Sequence, residues 1–253
     1  MKIETQNLSD PEKLLWDFGV VSPDQIDLEA IAWDQGAEVL YRDLEGCEAR
    51  LVASGDRAII SLSNSSNPGR QRFSLGHELA HWIWDRSRED FLCASSDISP
   101  QNDESKSTEA LANGRASQLV LPDYLVVPWQ GHRSTTLTLA NELNLEFRTS
   151  LTAAAIKLSR LSTDPICLVC HGQTTRKWFS RSKTFPTDLW PVKELHCETD
   201  AFRLTFQTAQ GITKAQKATG DRWIEGPGVH RLDCTAQSVW LADGVVLTLL
   251  AIT

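Results

Sequence analysis

An α+β fold, helix-rich in its first part and strand-rich in its last, is predicted by three features of the 253-residue sequence. Helical patterns with recognisable starts and stops recur between residues 10 and 161. Between two of them, residues 37–63 hold three short runs of strand character. Beyond Pro165 the apolar runs are short and β-like, so a boundary is expected near 162–165. Three regions follow from this: 1–130, a helical segment at 131–162, and a β-rich region at 163–253.

In chain order, "DPEKLLWDFGVV" (10–21) reads as a helix, with Asp10 to cap it, Pro11 in its first turn and Gly19 after its last. "DLEAIAWDQG" (27–36) repeats the pattern, with Gly36 as the stop. "AEVLYR" (37–42), "ARLVAS" (49–54) and "RAIISLS" (57–63) read as strands, and the "SGDR" turn makes a hairpin of the last two. The loop "NSSNPG" (64–69) leads into a helix containing "RFSLGHELAHWIW" (72–84). Residues 93–107 are polar and acidic and predict a surface loop. A helix over 107–120 is ended by Pro122, and two more helical patterns occupy 135–145 and 148–161. "ICLVC", "RKWFS", "AFRLTFQ", "SVWLA" and "GVVLTLLAI" then read as strands, with Asp243-Gly244 as a hairpin turn.

The chain is 41% hydrophobic and 23% charged, an ordinary globular balance. Its net charge of −8 argues against non-specific wrapping of nucleic acid. The first twenty residues contain no apolar signal-peptide core, and the run at 244–252 is too short to span a bilayer. A soluble, cytoplasmic protein is expected, with no membrane partner. Its six scattered cysteines are expected to be reduced and mainly structural.

The chemistry concentrates in "HELAH". On a helix His77 and His81 share a face, so two imidazoles meet at one point, which suits a tetrahedral Zn²⁺. Glu78 lies about 100° round the helix, where it reaches a water on the metal without ligating the ion itself. That is the H-E-x-x-H arrangement with Glu78 as general base. By chance the motif arises roughly once in a hundred chains of this length, so a third ligand and supporting groups are required before it means anything. "TEALAN" supplies both: Glu109 and Asn113 share a face of the next helix, Glu109 as third ligand and Asn113 as the group that orients a ligating imidazole. Such a His₂Glu donor set also accepts Mn²⁺ or Fe²⁺.

"QRFSLGHELAHWI" followed by "STEALANGRASQLVLP" resembles the ImmA/IrrE family of metallo-endopeptidases, whose pattern is roughly R-F-[ST]-x-A-H-E-x-G-H and then E-x-x-A-N-x-F-A-x-x-L-L-M-P. "SGDRAIISLSNSSNPGRQRF" before it and "LANELNLEFRTSLTAAAIKLSRL" after it extend the likeness, the latter to a helix-turn-helix-like segment. The match is specific over the first 160 residues. Beyond them "RKWFSRSKTFP" (176–186) is loosely similar to a C-terminal region described as GAF-like. The resemblance implies a zincin-like, gluzincin-type peptidase domain and a smaller α/β, GAF-like domain. It implies zinc, and a protein substrate that is a helix-turn-helix repressor encoded nearby, cut to induce a stress-response or mobile-element regulon. Three positions depart from the pattern: Gly76 for the usual Ala, Ala80 for Gly, and Arg115 for a packing Phe.

Hydrolysis also needs an oxyanion donor, for which Tyr124 and His132 are the side chains nearby in sequence, though packing and surface roles compete. Within "AIISL" (58–62), Ile59, Ile60 and Ser61 are candidates for docking an extended substrate at a sheet edge, against the alternative of a core strand. "CLVC" with His171 is weak evidence for a second metal site, because i and i+3 on a strand point to opposite faces. The helix pair at 135–161 carries only Arg148, Lys157 and Arg160 as basic residues, so direct DNA binding is not expected. Trp82 and Trp84 flank the motif, as core or as cleft lining. The competing reading is a regulatory, ligand-sensing protein with a structural or vestigial metal site. Glu78 separates the two, because a purely structural site has no use for it.

Overall fold

The computed structural model describes residues 5–85, 91–94 (backbone only), 108–206, 211–242 and 244–253. The chain divides into two units: Met1–His132 with Leu143–Ala154, and Arg133–Glu142 with Ala155–Thr253.

The first unit opens with helix α1 (Asp10–Asp17) and helix α2 (Leu28–Asp34). Ser9, rather than Asp10, begins α1: its N–H and Oγ both donate to the Glu12 carboxylate, at 2.9 and 2.6 Å. Asp27 caps α2 by accepting from the N–H groups of Glu29 and Ala30. Strands β1 (Ala37–Arg42), β2 (Cys47–Ser54), β3 (Arg57–Ser63) and β4 (Phe91–Ala94) form a sheet in the order β1-β3-β2-β4. β1 runs parallel to β3, and the other pairs are antiparallel. Leu51 of β2 sits opposite Ile60 of β3, and Ala49 opposite Leu62, so these side chains line one buried face.

Helix α3 (Pro68–Trp84) packs on that sheet. Asn67 caps it, with its side chain accepting from Arg70 N–H at 3.0 Å. Every residue from Ser74 to Trp82 is buried, because the sheet, α2 and helix α4 (Thr108–Val120) surround that stretch. Two glycines permit this packing. A Cβ on Gly69 would lie 2.4 Å from the carbonyl oxygen of Thr149, so only glycine admits that backbone. A Cβ on Gly76 would meet Val120 Cγ2 at 3.3 Å and Ala116 at 3.6 Å, so the line from α3 to α4 is backbone against side chain. Helix α5 (Asp123–Gln130) follows, then α6 (Leu137–Phe147) and α7 (Leu151–Leu161). The residues of α6 and α7 divide between the two units rather than forming a third.

The second unit is built on an antiparallel sheet in the order β6-β5-β11-β10-β8. Its strands are β5 (Ile166–His171), β6 (Arg176–Arg181), β8 (Gln216–Thr219), β10 (Asp233–Ala242) and β11 (Val245–Ile252). A small ribbon pairs β7 (Trp190–Pro191) with β9 (Ile224–Glu225). Helix α8 (Asp200–Phe206) covers one face, and Ala201 and Leu204 join Cys167, Val169, Val246 and Leu250 in the core. At the start of α6, Gln237 accepts from Leu137 N–H at 2.7 Å and donates to Thr138 Oγ1 at 3.1 Å.

Several expectations are corrected. "AFRLTFQ" is helix and not strand: Thr199 Oγ1 accepts from Phe202 N–H, and Ala201, Leu204 and Thr205 bury one helical face. Pro122 ends one helix but also opens α5, which the β-branched pair and Pro128 had masked. Residues 93 and 94, expected in a loop, belong to β4, while 95–107 and Asp243 lie outside the described residues. β3 is an interior strand, paired on both sides, so the backbone of Ile59, Ile60 and Ser61 has no free edge to offer a substrate. Among the described residues, no helix is long and apolar enough to cross a membrane.

Two tests follow. Gly69→Ala should cost about 1–3 kcal/mol through overpacking against Thr149, read by chemical denaturation. In the second unit, burial pushes the His171 pKa down to about 4, against an accepted hydrogen bond at Val192 O that pulls the other way. Its Nδ1 is buried, with no hydrogen-bond partner among the described residues. The folded state therefore resists the proton that the unfolded chain takes up below about pH 6.5. Stability should be present above that pH and drain away as pH falls toward 4, and His171→Gln should flatten the slope.

Candidate metal centre

α3 delivers His77 and His81 one turn apart on its face toward α4, and α4 returns Glu109 from its first turn. The three donor atoms converge. His77 Nε2 lies 3.1 Å from His81 Nε2, and Glu109 Oε2 lies 3.2 Å from the first and 3.3 Å from the second. Both imidazoles are fully buried, and the Glu109 side chain is 29% exposed. Among the described residues this is the one group of three or more such side chains able to hold a metal ion.

The far side of each ring is also engaged. Asn113 Oδ1 stands 3.0 Å from His77 Nδ1, and Asp85 Oδ2 stands 3.3 Å from His81 Nδ1. Asp85 in turn pairs through Oδ1 with Arg115 Nη1 at 3.1 Å, and the guanidinium lies over the Trp84 ring at 5.4 Å. The Asn113 contact was expected, and the Asp85 contact was not. The only hint in the sequence was an acidic residue four positions after His81, at a helix end where negative charge is disfavoured. Arg115, which departs from the family's Phe, has this carboxylate for a partner.

Electrostatics reflect the crowding. Hydrogen bonds from His77 and His81 hold the Glu109 carboxyl down at about 2. Burial pulls the His81 pKa down, but the hydrogen bond and charge of Glu109, with the charges of Glu78 and Asp85, outweigh it and raise the pKa. Glu78 itself is fully buried.

The residues fit a zinc ion. Tetrahedral bonds of 2.0–2.1 Å place neighbouring ligand atoms about 3.3 Å apart, which is the triangle found here. With Nδ1 of His77 turned to an acceptor, its Nε2 presents a lone pair to the centre. Two such lone pairs and a carboxylate oxygen at this distance repel one another unless a cation or a proton lies between them.

The remaining candidates fall elsewhere. The Tyr124 hydroxyl donates to Val20 O at 2.8 Å and its ring meets Trp16 edge-on, while burial and the charge of Glu12 push its pKa up to about 12. That proton is engaged in joining α5 to the end of α1, which argues against the oxyanion role. His132 is exposed in the turn after α5. Ile60 and Ser61 are buried, whereas the Ile59 side chain lines an open cavity of about 410 Å³ with Trp33, Val52 and Arg57. Trp82 is core, its Nε1 donating to Gln35 O at 2.8 Å. Cys167 and Cys170 are buried free thiols whose pKa values burial raises to about 12 and about 11, so they show no thiolate character. Lys157, one of three basic residues of the helix pair, is 4% exposed and so is not displayed for DNA.

An HExxH helix facing a second helix with a carboxylate and an amide defines a metallopeptidase-type centre in an α+β chain. Residues 32–159, just over half of the chain, match the Peptidase_M78 family, described as the IrrE N-terminal-like domain. The chain belongs to this family, which bears out the ImmA/IrrE resemblance. Its fold is similar to that of a Mycobacterium tuberculosis transcriptional regulator, at a TM-score of 0.62 and 16% identity over 96% of this chain and 74% of that one. At that identity the likeness shows the fold alone. No curated protein matches the chain.

Asn113→Ala should leave the fold intact and lower zinc affinity by about 10–100-fold, measured by chelator competition. Gly76→Leu, which drives a side chain between α3 and α4, should lose metal binding outright.

Proposed function

We propose that the protein is a zinc-dependent, site-specific endopeptidase that cleaves a helix-turn-helix transcriptional repressor and so induces the genes it silences. The observation that carries this reading is the fully buried Glu78, one residue from the first of three converging ligands. A site built only for structure gains nothing from a buried carboxylate there, and pays for burying it.

His77, His81 and Glu109 would hold the ion, and the same donors also admit Mn²⁺ or Fe²⁺. When bound, zinc supplies Lewis acidity, lowering the pKa of water and polarising a peptide carbonyl. Glu78 takes the proton from the attacking water and passes it to the leaving nitrogen as the C–N bond breaks, which balances the step. Asn113 keeps the His77 lone pair aimed at the centre. The family membership supports a zincin-like, gluzincin-type peptidase domain and a cytoplasmic regulatory role. The choice of repressor as substrate rests on the family resemblance. The second unit, with its own sheet and core, is read as a GAF-like sensing module.

Glu78→Gln should retain one zinc per chain and lose cleavage of the repressor encoded beside this gene. A variant that still cut at the same bond would remove Glu78 as general base.

A further inference from the structure

The geometry points to Asp85 as a positioning residue for His81, held in place by Arg115, so that each ligating imidazole has its own outer support. This inference rests on the metal-site reading above. His77 has Asn113 at its Nδ1, and His81 has Asp85 at its Nδ1, 3.3 Å away. Asp85 closes α3, its backbone N–H donating to the carbonyl of His81 itself, so the carboxylate is anchored one turn beyond the ring it faces. A carboxylate at a helix C-terminus opposes the helix dipole, so stabilising α3 does not account for it. Its two oxygens instead divide between two cationic or donor groups, Oδ2 toward His81 and Oδ1 toward Arg115.

Arg115 is fixed in turn. Its guanidinium meets Asp85 at 3.1 Å and lies over the Trp84 ring, and its side chain is only 27% exposed. One helix, α4, therefore carries a ligand in Glu109, the support of one imidazole in Asn113, and the anchor of the other support in Arg115. A carboxylate facing Nδ1–H fixes the tautomer that leaves Nε2 free for metal and raises its basicity. The arrangement also explains the charge at position 115, where relatives are expected to have an aromatic: Arg115 is matched to Asp85.

The test uses the full-length chain, stripped of metal and titrated with Zn²⁺ against a chromophoric chelator, then with Co²⁺ for its visible absorption. Asp85→Ala should weaken zinc by about 10–100-fold and shift the cobalt bands, while apo-protein melting stays near wild type. Asp85→Asn, nearly isosteric, keeps an acceptor but not the charge, and should fall between the two. Arg115→Ala should weaken zinc less than Asp85→Ala, and Arg115→Lys should restore part of the loss, which a purely packing role would not produce. Wild-type affinity and an unchanged cobalt spectrum in both Asp85 variants would overturn the inference while leaving the metal site standing. A wild-type chain that takes up neither ion would overturn the metal-site reading and this inference with it.

Discussion

The close packing of α3 against α4 is the constraint on which the rest depends. Gly76 lets the two helices approach until the first meets Val120 and Ala116 of the second. At that separation a short carboxylate, Glu109, reaches two imidazoles on the facing helix, and an amide one turn later reaches the back of the first ring. A wider gap would leave two buried histidines and a buried glutamate without partners, each of them costly to desolvate. The sheet beneath fixes the orientation of α3: Ala58, Ile60 and Leu62 of β3, with Ala49 and Leu51 of β2, form the apolar floor. Gly69 and the turn at Thr149 fix where α3 begins.

This arrangement buries polar groups in a region that otherwise reads as core, and the cost is offset locally. The two imidazoles, the Glu109 carboxyl and the Asn113 amide satisfy one another, and Asp85 links the second ring to Arg115. The outward layer is as ordered as the donor set itself. That order is what a metal centre requires, since ligand orientation is set by the groups behind the ligands.

How much of this was legible in the sequence differed by element. H-E-x-x-H and the later Glu109 and Asn113 could be read because helical spacing alone puts each pair on one face. Asp85 could not, since its pairing with Arg115 spans thirty positions and exists only once α3 and α4 are packed. Arg115 was visible only as a departure from a pattern, without its partner. Strand order has no local signal, so β3 looked like a possible edge although it lies inside the sheet. "AFRLTFQ" is seven residues long, and at that length apolar content does not distinguish helix from strand, so Thr199 as a cap was the missed clue. Tyr124 was near in sequence to the site but is engaged with Val20, which only the fold of α1 against α4 and α5 decides.

The central claim is that α3 and α4 together make a closed three-ligand site. The most direct measurement is native mass spectrometry of the full chain after zinc loading and removal of excess, beside the Glu109→Ala variant. One zinc per wild-type chain, with none retained by the variant, is the predicted result. A wild-type chain that retains no zinc, or a variant that retains as much as wild type, would contradict the account.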